Sequence, residues 1–223
     1  MSKHLPISVA IDGPAGAGKS TVSRLLAAKA GFELLDTGAM YRAYAWLDLQ
    51  KNYGPELAMQ ISAHTFDFDM SSGKMYVECD GKNISEEIRT HNVTSHVSKV
   101  AADPDVRKIA VAQQQAFIAH ELLEGKSVVL EGRDIGTTVL PNASIKFFLT
   151  ASSIRRAERR AAEVRGDIAE IAQSIEVRDA LDSSREVSPL TKASDAIEID
   201  ASDLDVNQVV EMMLKEIANL YEI

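Results

Sequence analysis

Residues 7–31 of the chain read ISVAIDGPAGAGKSTVSRLLAAKAG. The apolar run at residues 7–11 is typical of a buried strand, and residues 19–30 have the length and composition of a helix. Between them, GPAGAGKS at residues 13–20 fits the pattern G-x-x-x-x-G-K-[ST]. A match in this strand-to-helix context predicts a phosphate-binding loop, with an ordinary glycine-rich turn as the alternative.

The residue types of this loop suit a triphosphate. Glycines allow successive backbone N–H groups to point inward at phosphate oxygens, and the following helix presents its positive N-terminal end. We expect Lys19 to reach the β- and γ-phosphates and the Ser20 hydroxyl to ligate Mg²⁺, with Thr21 as a further hydroxyl. The loop predicts a nucleoside triphosphate ligand but not the reaction.

The rest of the chain alternates strands and helices. Further short apolar runs predict buried strands at residues 32–35, 127–130, 145–149 and 196–199. Helix-length segments occupy residues 39–50, 106–123, 154–165 and 206–221. This alternation predicts an α/β fold of the P-loop NTPase type, with a doubly wound, five-stranded parallel sheet.

Two segments interrupt this rhythm within what we expect to be a single domain spanning residues 1–223. Alternating residues around two glycine turns at 66–88 predict a β-rich inserted lobe, which we assign to about 61–105. A charged helical segment at about 152–187, broken at Gly166, predicts a mobile lid. The core is then expected to comprise about 1–60, 106–151 and 188–223.

Composition excludes several classes of function. A formal net charge of −9 over 223 residues argues against general binding to nucleic acid or to an anionic membrane. Cys79 is the only cysteine, so neither an internal disulfide nor a cysteine-rich zinc site is expected. Without a signal peptide or a long apolar stretch, the sequence predicts a cytoplasmic protein.

A second phosphate site is suggested by LLDTGAMYR at residues 34–42. The turn at residues 36–38 follows a predicted strand, so it should lie at the carboxyl edge of the sheet. The hydroxyl of Thr37 and the guanidinium of Arg42 would suit a phosphate. The alternative is that Thr37 only caps the helix and that Arg42 is a solvated charge.

The strand at 127–130 is followed by EGRDIGT, which brings Glu131, Arg133 and Asp134 to the same edge. An acid at a strand end resembles a Walker B element, so Glu131 is expected to help order Mg²⁺ through water. Arg133 and Asp134 are candidate ligand contacts, although a local ion pair is also compatible with them.

Arginine is concentrated in the predicted lid: residues 155–185 contain seven arginines and no lysine, whereas the whole chain has 12 of each. A guanidinium group can donate two parallel hydrogen bonds to one phosphate group, so this preference for arginine over lysine favours recognition of an anion. Glu158 and Glu163 allow the alternative of a surface helix stabilised by ion pairs. Arg178, Asp182 and Arg185 are spaced to share one helical face and could hold a phosphate and a sugar hydroxyl.

Taken together, GPAGAGKST, LLDTGAMYR, ISEEIRT, EGRDIGT, RRAERR and VRDALDSSREVSPL resemble bacterial cytidylate kinases along essentially the whole chain. The resemblance implies ATP-dependent phosphorylation of CMP and dCMP, with Mg²⁺, by a monomer. It implies ATP binding by Gly13, Pro14, Ala15, Gly16, Ala17, Gly18, Lys19, Ser20 and Thr21, and metal binding through Ser20 and Glu131. It implies CMP binding by Thr37, Tyr41, Arg42, Ser98, Arg107, Arg133, Asp134, Arg178, Asp182 and Arg185.

Within that set, the resemblance assigns the base to Ser98, Arg107 and Asp134, the ribose to Arg178 and Asp182, and the catalytic charges to Lys19, Arg133, Arg159, Arg160 and Arg185. Transfer would be in line between two bound nucleotides and would need no general base, because the attacking oxygen is already anionic. A kinase for another small acceptor and a nucleotide-dependent switch are the alternatives.

Overall fold

The computed structural model describes residues 5–69, 75–164 and 166–220. Its strands are β1 Ser8–Asp12, β2 Glu33–Asp36, β3 Phe66–Asp69, β4 Tyr76–Cys79, β5 Lys82–Asn83, β6 Val128–Gly132, β7 Ile145–Thr150 and β8 Ile197–Asp200. Its helices are α1 Lys19–Ala30, α2 Thr37–Lys51, α3 Leu57–Ala63, α4 His91–Val100, α5 Pro104–Leu123, α6 Ser153–Val164, α7 Ile168–Ser183 and α8 Val206–Asn219.

The chain divides into two compact units. The first comprises the described residues up to Leu34 together with those from Ile118 onward, and the second is Leu35–Phe117. The boundaries that the sequence suggests for the inserted lobe, 61–105, lie inside this second unit.

A five-stranded sheet with the order β2, β6, β1, β7, β8 forms the centre of the fold. β1 is buried along its whole length and pairs in parallel with both β6 and β7, which aligns Asp12 with Gly132 and Phe148. β7 pairs in parallel with β8. Since parallel strands end at the same edge, the loops after β1, β6 and β7 meet there. The predicted α/β fold and its five strands are confirmed, each strand within two residues of its expected limits.

Helices of the first unit cover the sheet, and two of them, α6 and α7, occupy the segment for which the sequence predicts a lid. α1 packs with α8, whose first turn is closed by a capping box between Asp205 and Gln208. α6 and α7 pack against each other, and Gly166 lies between them as the sequence predicts. Asp167 caps α7 by accepting the N–H groups of Ala169 and Glu170.

The second unit contains the predicted β-rich insertion. β3, β4 and β5 form an antiparallel sheet in that order. Asp80 and Gly81, with φ of 51° and 77°, make the tight turn between β4 and β5. The other predicted glycine turn, at 71–73, lies outside the described residues. The second unit also contains more helix than the sequence pattern suggests. It includes α2, which packs against both α4 and β4.

Within the described residues, no helix combines the length and the apolar composition needed to cross a membrane.

Candidate active site

The glycine-rich loop between β1 and α1 is tightly confined. Gly13 has φ of 152°, and a Cβ atom there would lie 2.0 Å from the carbonyl oxygen of Leu149 at the end of β7. Gly16 has φ of 75°, a left-handed conformation that side chains disfavour. The motif therefore needs glycine at these positions for space and for backbone geometry.

The side chain of Lys19 folds back onto the first residues of the loop. Its Nζ donates to the carbonyl oxygens of Gly13 and Pro14 at 2.7 and 2.8 Å, and the residue is only 7% exposed. Burial, and next the positive charge of Arg133, lower the pKa of Lys19 well below its ordinary value. An ammonium group held this way is poorly solvated, so an incoming anion would stabilise its charge.

Backbone N–H groups in the loop remain open to a ligand. Across the part of the chain that the structure describes, the N–H groups of Gly16, Ala17 and Gly18 donate no hydrogen bond to the protein. They precede the N-terminus of α1, which carries positive partial charge. Together with Lys19 they form an arrangement suited to phosphate oxygens.

A hydroxyl and a carboxylate meet beside the loop. Ser20 Oγ donates to Glu131 Oε2 at 3.0 Å, and Glu131 is buried at the end of β6. Hard oxygen donors of this kind suit Mg²⁺, which commonly keeps several waters and takes few protein ligands. The sequence names both residues as candidates for the metal, and the structure brings them together.

Asp12 connects the loop to the turn after β6. Its carboxylate accepts the N–H groups of Ile135 and Gly136 at 2.8 and 2.7 Å. Burial raises the pKa of Asp12 to about 6, although both hydrogen bonds oppose that shift. The sequence gives no sign of this role for Asp12 beyond its position directly before the first glycine of the motif.

Three cationic side chains of the first unit interact electrostatically: the positive charges of Arg133 and Arg178 act on the ammonium group of Lys19. Arg133 and Arg178 both lower the pKa of Lys19 through their charge, so both guanidinium groups lie near its ammonium. Like charges repel, and burying them together is unfavourable unless anions compensate. Glu131 and Asp12 provide part of that compensation.

Asp182 organises two of the predicted phosphate ligands. It is 1% exposed, accepts Arg133 Nε at 2.8 Å and is hydrogen-bonded by Arg185 Nη2. Arg133 is thus in an ion pair, but with Asp182 of α7. The prediction that Arg178, Asp182 and Arg185 share one helical face is wrong in detail, because α7 ends at Ser183 and Arg185 reaches back from beyond it.

Arginines of α6 have different environments. Arg155 pairs with Glu158 at 2.9 Å on the exposed side, as the surface-helix alternative predicts. Arg159 faces the phosphate loop and donates to the carbonyl oxygens of Ala17 and Ala201, while Arg160 is half-buried. Arg156 is buried against the loop. The surface-helix alternative therefore holds for Arg155 and not for Arg156.

In the second unit, Asp36 rather than Thr37 caps α2. The Asp36 carboxylate accepts the N–H of Ala39 and pairs with Arg42 Nη2, both at 2.9 Å. Burial works to raise the pKa of Asp36, but Arg42 and the Ala39 N–H hold it below its ordinary value. The alternative of a Thr37 cap and a solvated Arg42 is wrong, which leaves the buried Thr37 hydroxyl out of the capping role.

The other predicted ligands of this unit are also buried. The Arg107 guanidinium lies over the ring of Tyr41, 5.6 Å from its centroid, and Nη1 donates to the carbonyl oxygen of Ala101 at 3.1 Å. Ser98, on α4, is 9% exposed. In the first unit, Asp134 is buried after β6, where its charge contributes to the raised pKa of Asp12.

A family model described as cytidylate kinase matches residues 9–219, nearly the whole chain. This chain belongs to the cytidylate kinase family. Among its relatives, the cytidylate kinase of Oceanobacillus iheyensis is 44% identical over 221 residues, with 95% of this chain and 94% of that protein covered. The cytidylate kinase of Caldanaerobacter subterraneus subsp. tengcongensis is 45% identical over 219 residues, covering 96% of each chain.

Comparison with solved structures supports the fold alone. The crystal structure of an uncharacterized protein from Eubacterium ventriosum aligns with a TM-score of 0.55 at 16% identity, covering 95% of this chain and 98% of that one. The expected membership of the cytidylate kinase family is therefore confirmed by sequence, and the α/β fold by structure.

The sequence does not indicate the roles that Asp179 and Arg156 have in this member of the cytidylate kinase family. Asp179 accepts the N–H of Ala15, a contact between residues 164 positions apart, and pairs with Arg156. The arginine-rich segment draws attention to Arg156, but no spacing in the sequence indicates its partner on α7.

Proposed function

We propose that this protein transfers the γ-phosphoryl group of ATP to CMP and dCMP, giving ADP with CDP or dCDP. Family membership supports the acceptor, since the relatives that match over their full length carry the name cytidylate kinase. The structural observation that carries the proposal is the placement of two cationic side chains at the phosphate loop: Lys19 Nζ donates to the carbonyl oxygens of Gly13 and Pro14, and Arg159 Nη1 donates to that of Ala17.

On the donor side, we propose that residues 13–21 bind ATP. The N–H groups of Gly16, Ala17 and Gly18 would hold phosphate oxygens, and Lys19 would stabilise the β- and γ-phosphates. Ser20 and Glu131 would hold Mg²⁺, Glu131 through water. When bound, the metal ion would neutralise charge on the phosphates and orient them for transfer.

On the acceptor side, we propose that the phosphate of CMP is bound by Thr37, Arg42, Arg133 and Arg185, with Tyr41 beside the nucleoside. The ribose is assigned to Arg178 and Asp182. Because Asp182 already accepts from Arg133 and Arg185, its larger contribution is to hold these guanidinium groups in place. A carboxylate has room for four hydrogen bonds, so a sugar hydroxyl remains compatible with this role.

Base selection is assigned to Ser98, Arg107 and Asp134. Cytosine offers an exocyclic amino donor together with the acceptors N3 and O2, which an acid and two donors can satisfy. Uracil has a carbonyl where cytosine has the amino group, so one buried contact would be left unpaired. Such losses cost several kcal/mol and give strong discrimination.

The proposed chemistry needs no base in the protein. The attacking phosphate oxygen of CMP is anionic, so the chain has only to position it in line and to neutralise charge on the transferring group. Lys19, Arg133, Arg185 and the arginines Arg159 and Arg160 of α6 would supply that charge. The lid of α6 and α7 would also exclude water, a competing nucleophile.

The proposal extends to the setting of the enzyme. We propose a monomer that works in the cytoplasm on free nucleotides, in keeping with a net charge of −9 and a single buried cysteine.

An ADP-release assay with ATP and Mg²⁺ tests the proposal across CMP, dCMP, UMP, AMP, GMP, dTMP and shikimate. Turnover confined to CMP and dCMP is expected, and Arg178→Ala should lower it. Asp134→Ala should lower turnover of CMP and weaken the preference over UMP. If no nucleoside monophosphate is phosphorylated above background, the proposal fails, and turnover of shikimate would identify a different acceptor.

A further inference from the structure

The backbone of Ala15, in the phosphate loop, is held on both sides of its Cα atom by side chains of α6 and α7. Its N–H donates to Asp179 Oδ1 at 3.0 Å, and its carbonyl oxygen accepts Arg156 Nη1 at 2.9 Å. Arg156 Nη1 also pairs with the other carboxylate oxygen of Asp179. The two side chains and the backbone of Ala15 thus form a closed hydrogen-bonded ring.

Arg156 is held in this ring through Nη1. Its Nε donates to the carbonyl oxygen of Ala151 at 3.0 Å, so the guanidinium is fixed from both the loop and the start of α6. The side chain is 11% exposed. Arg159 and Arg160, by contrast, are half-buried on the same helix.

Apolar packing reinforces the same contact. Ala15 forms a buried cluster with Ala157 of α6 and Ile175 of α7. At the next residue, Gly16, a Cβ atom would lie 3.1 Å from both the Cβ and the carbonyl oxygen of Arg156. The first half of the loop is therefore packed against the two lid helices without spare room.

We propose that Arg156 and Asp179 are positioning residues for the phosphate donor. By fixing the two peptide groups that flank the Cα atom of Ala15, they set the direction of the chain into Gly16, Ala17 and Gly18, whose N–H groups are assigned to phosphate oxygens. This inference rests on the proposed function of the loop in ATP binding. It assigns to these two side chains a role in the affinity for ATP that involves no contact with ATP.

Because Arg156 and Asp179 carry opposite charges, replacing one should affect ATP binding differently from replacing the other. Asp179 places an anion beside a loop that must accept a polyanion, and Arg156 neutralises it at hydrogen-bond distance. Arg156→Gln leaves the carboxylate uncompensated, so it weakens ATP binding by repulsion as well as by loss of the carbonyl contact. Removing the negative charge in the same chain, with Arg156→Gln and Asp179→Asn combined, should restore part of that loss.

Calorimetric titration with ATP and Mg²⁺ in the absence of CMP tests the inference. We expect Arg156→Gln to weaken ATP binding by about tenfold to a hundredfold, the range for hydrogen bonds to charged groups. Asp179→Asn should weaken it by less, and the double variant should bind ATP more tightly than Arg156→Gln alone. The affinity for CMP should stay within about twofold of wild type.

Glu158→Gln is the matched control, because it removes a charge from the exposed face of the same helix, where Glu158 is 42% exposed. It should leave both affinities unchanged. Hydrogen exchange in the peptide that contains Ala15 should be faster in Arg156→Gln and in Asp179→Asn, and unchanged in the control. Asp179→Asn, which nearly preserves shape, keeps the test valid if Arg156→Gln unfolds.

Three results would overturn the inference: ATP affinity that is unchanged in Asp179→Asn and in any folded Arg156→Gln, a loss of CMP affinity equal to that for ATP, or a double variant no better than Arg156→Gln. The proposed function fails separately. Wild-type protein that binds ATP in this titration but does not phosphorylate CMP would contradict the kinase activity and leave the positioning role intact.

Discussion

At the scale of single residues, the carboxyl group of Asp12 is subject to opposing effects. Burial at the end of β1 disfavours its charge and raises its pKa to about 6, while the N–H groups of Gly136 and Ile135 favour the charge. The folded protein therefore holds a proton there between about pH 4 and pH 6, where the unfolded chain has lost it. Asp12 accordingly contributes more stability in acid than at neutral pH.

Replacing Asp12 with Asn should remove this pH dependence. Relative to the variant, the wild-type free energy of unfolding should fall by about 2 kcal/mol as pH rises from 4 to 6.5, which is most of the ~3 kcal/mol that a pKa shift from 3.8 to about 6 gives over the full titration. Urea unfolding of both proteins at several pH values measures the difference. Parallel pH profiles for the two proteins would contradict the raised pKa.

Gly13 tests the confinement of the loop. Gly13→Ala would place a methyl group 2.0 Å from the carbonyl oxygen of Leu149, which is backbone and cannot rotate away. We expect a loss of about 3 kcal/mol or more in stability, together with a large loss of ATP affinity, because β7 or the loop must move. Gly125→Ala is the control: that glycine also has positive φ, of 79°, but nothing lies within 4 Å of an added Cβ. Equal stability losses would mean that backbone strain alone matters.

At the scale of secondary structure, the sequence predicts the strands well because burial on both faces leaves short apolar runs between turn residues. The phosphate loop is equally readable, since its glycines and Lys19 are adjacent. Hydrogen-bond partners that lie far apart in the sequence cannot be read from it in the same way. Asp12 meets Gly136 124 residues away and Arg133 meets Asp182 49 residues away, and no local pattern encodes either contact.

The exact ends of helices are also difficult to predict from local sequence. LLDTGAMYR identifies where α2 begins, but both Asp36 and Thr37 are good capping residues. The choice of Asp36 depends on Arg42, which lies six residues further along the chain and pairs with the same carboxylate. At the end of α7, regular spacing suggests that the helix continues to Arg185, whereas the chain leaves the helix at Ser183 and the pair with Asp182 survives.

Asp182 at the end of α7 should be essential for ordering Arg133 and Arg185. Asp182→Asn leaves both guanidinium groups without their shared carboxylate, and we expect a loss of about 3 kcal/mol in the free energy of unfolding and a weaker affinity for CMP. Urea unfolding and CMP titration measure the two effects. Glu158→Gln, which breaks an exposed pair, should cost less than about 1 kcal/mol. A similar cost for both substitutions would show that Asp182 is not a buried anchor.

At the scale of the whole molecule, the two compact units carry different parts of the proposed chemistry. The phosphate loop, Glu131, the arginines of α6 and five of the ten residues assigned to CMP belong to the first unit. The other five residues assigned to CMP belong to the second unit: Thr37, Tyr41, Arg42, Ser98 and Arg107. The sequence anticipates an insertion but limits it to 61–105. It cannot show that α2 belongs with the insertion, because that depends on packing of α2 against α4.

Each nucleotide should therefore protect a different set of backbone amides. ATP with Mg²⁺ alone should slow hydrogen exchange in residues 13–21, whereas CMP alone should slow it in residues 37–42 and 98–107. Each ligand at about a hundredfold above its dissociation constant should add about 2.7 kcal/mol to stability by mass action, which a thermal shift can follow.

Lys19→Met provides the control that separates these two responses. Loss of the buried ammonium removes the charge assigned to the β- and γ-phosphates, so the variant should lose most of the protection and thermal shift that ATP produces. Its response to CMP should persist, because none of the residues assigned to CMP is altered. UMP at the same concentration should protect residues 98–107 less than CMP, since the assigned base contacts lie there. Identical protection by ATP and CMP, in either protein, would refute the division of the two nucleotides between these residues.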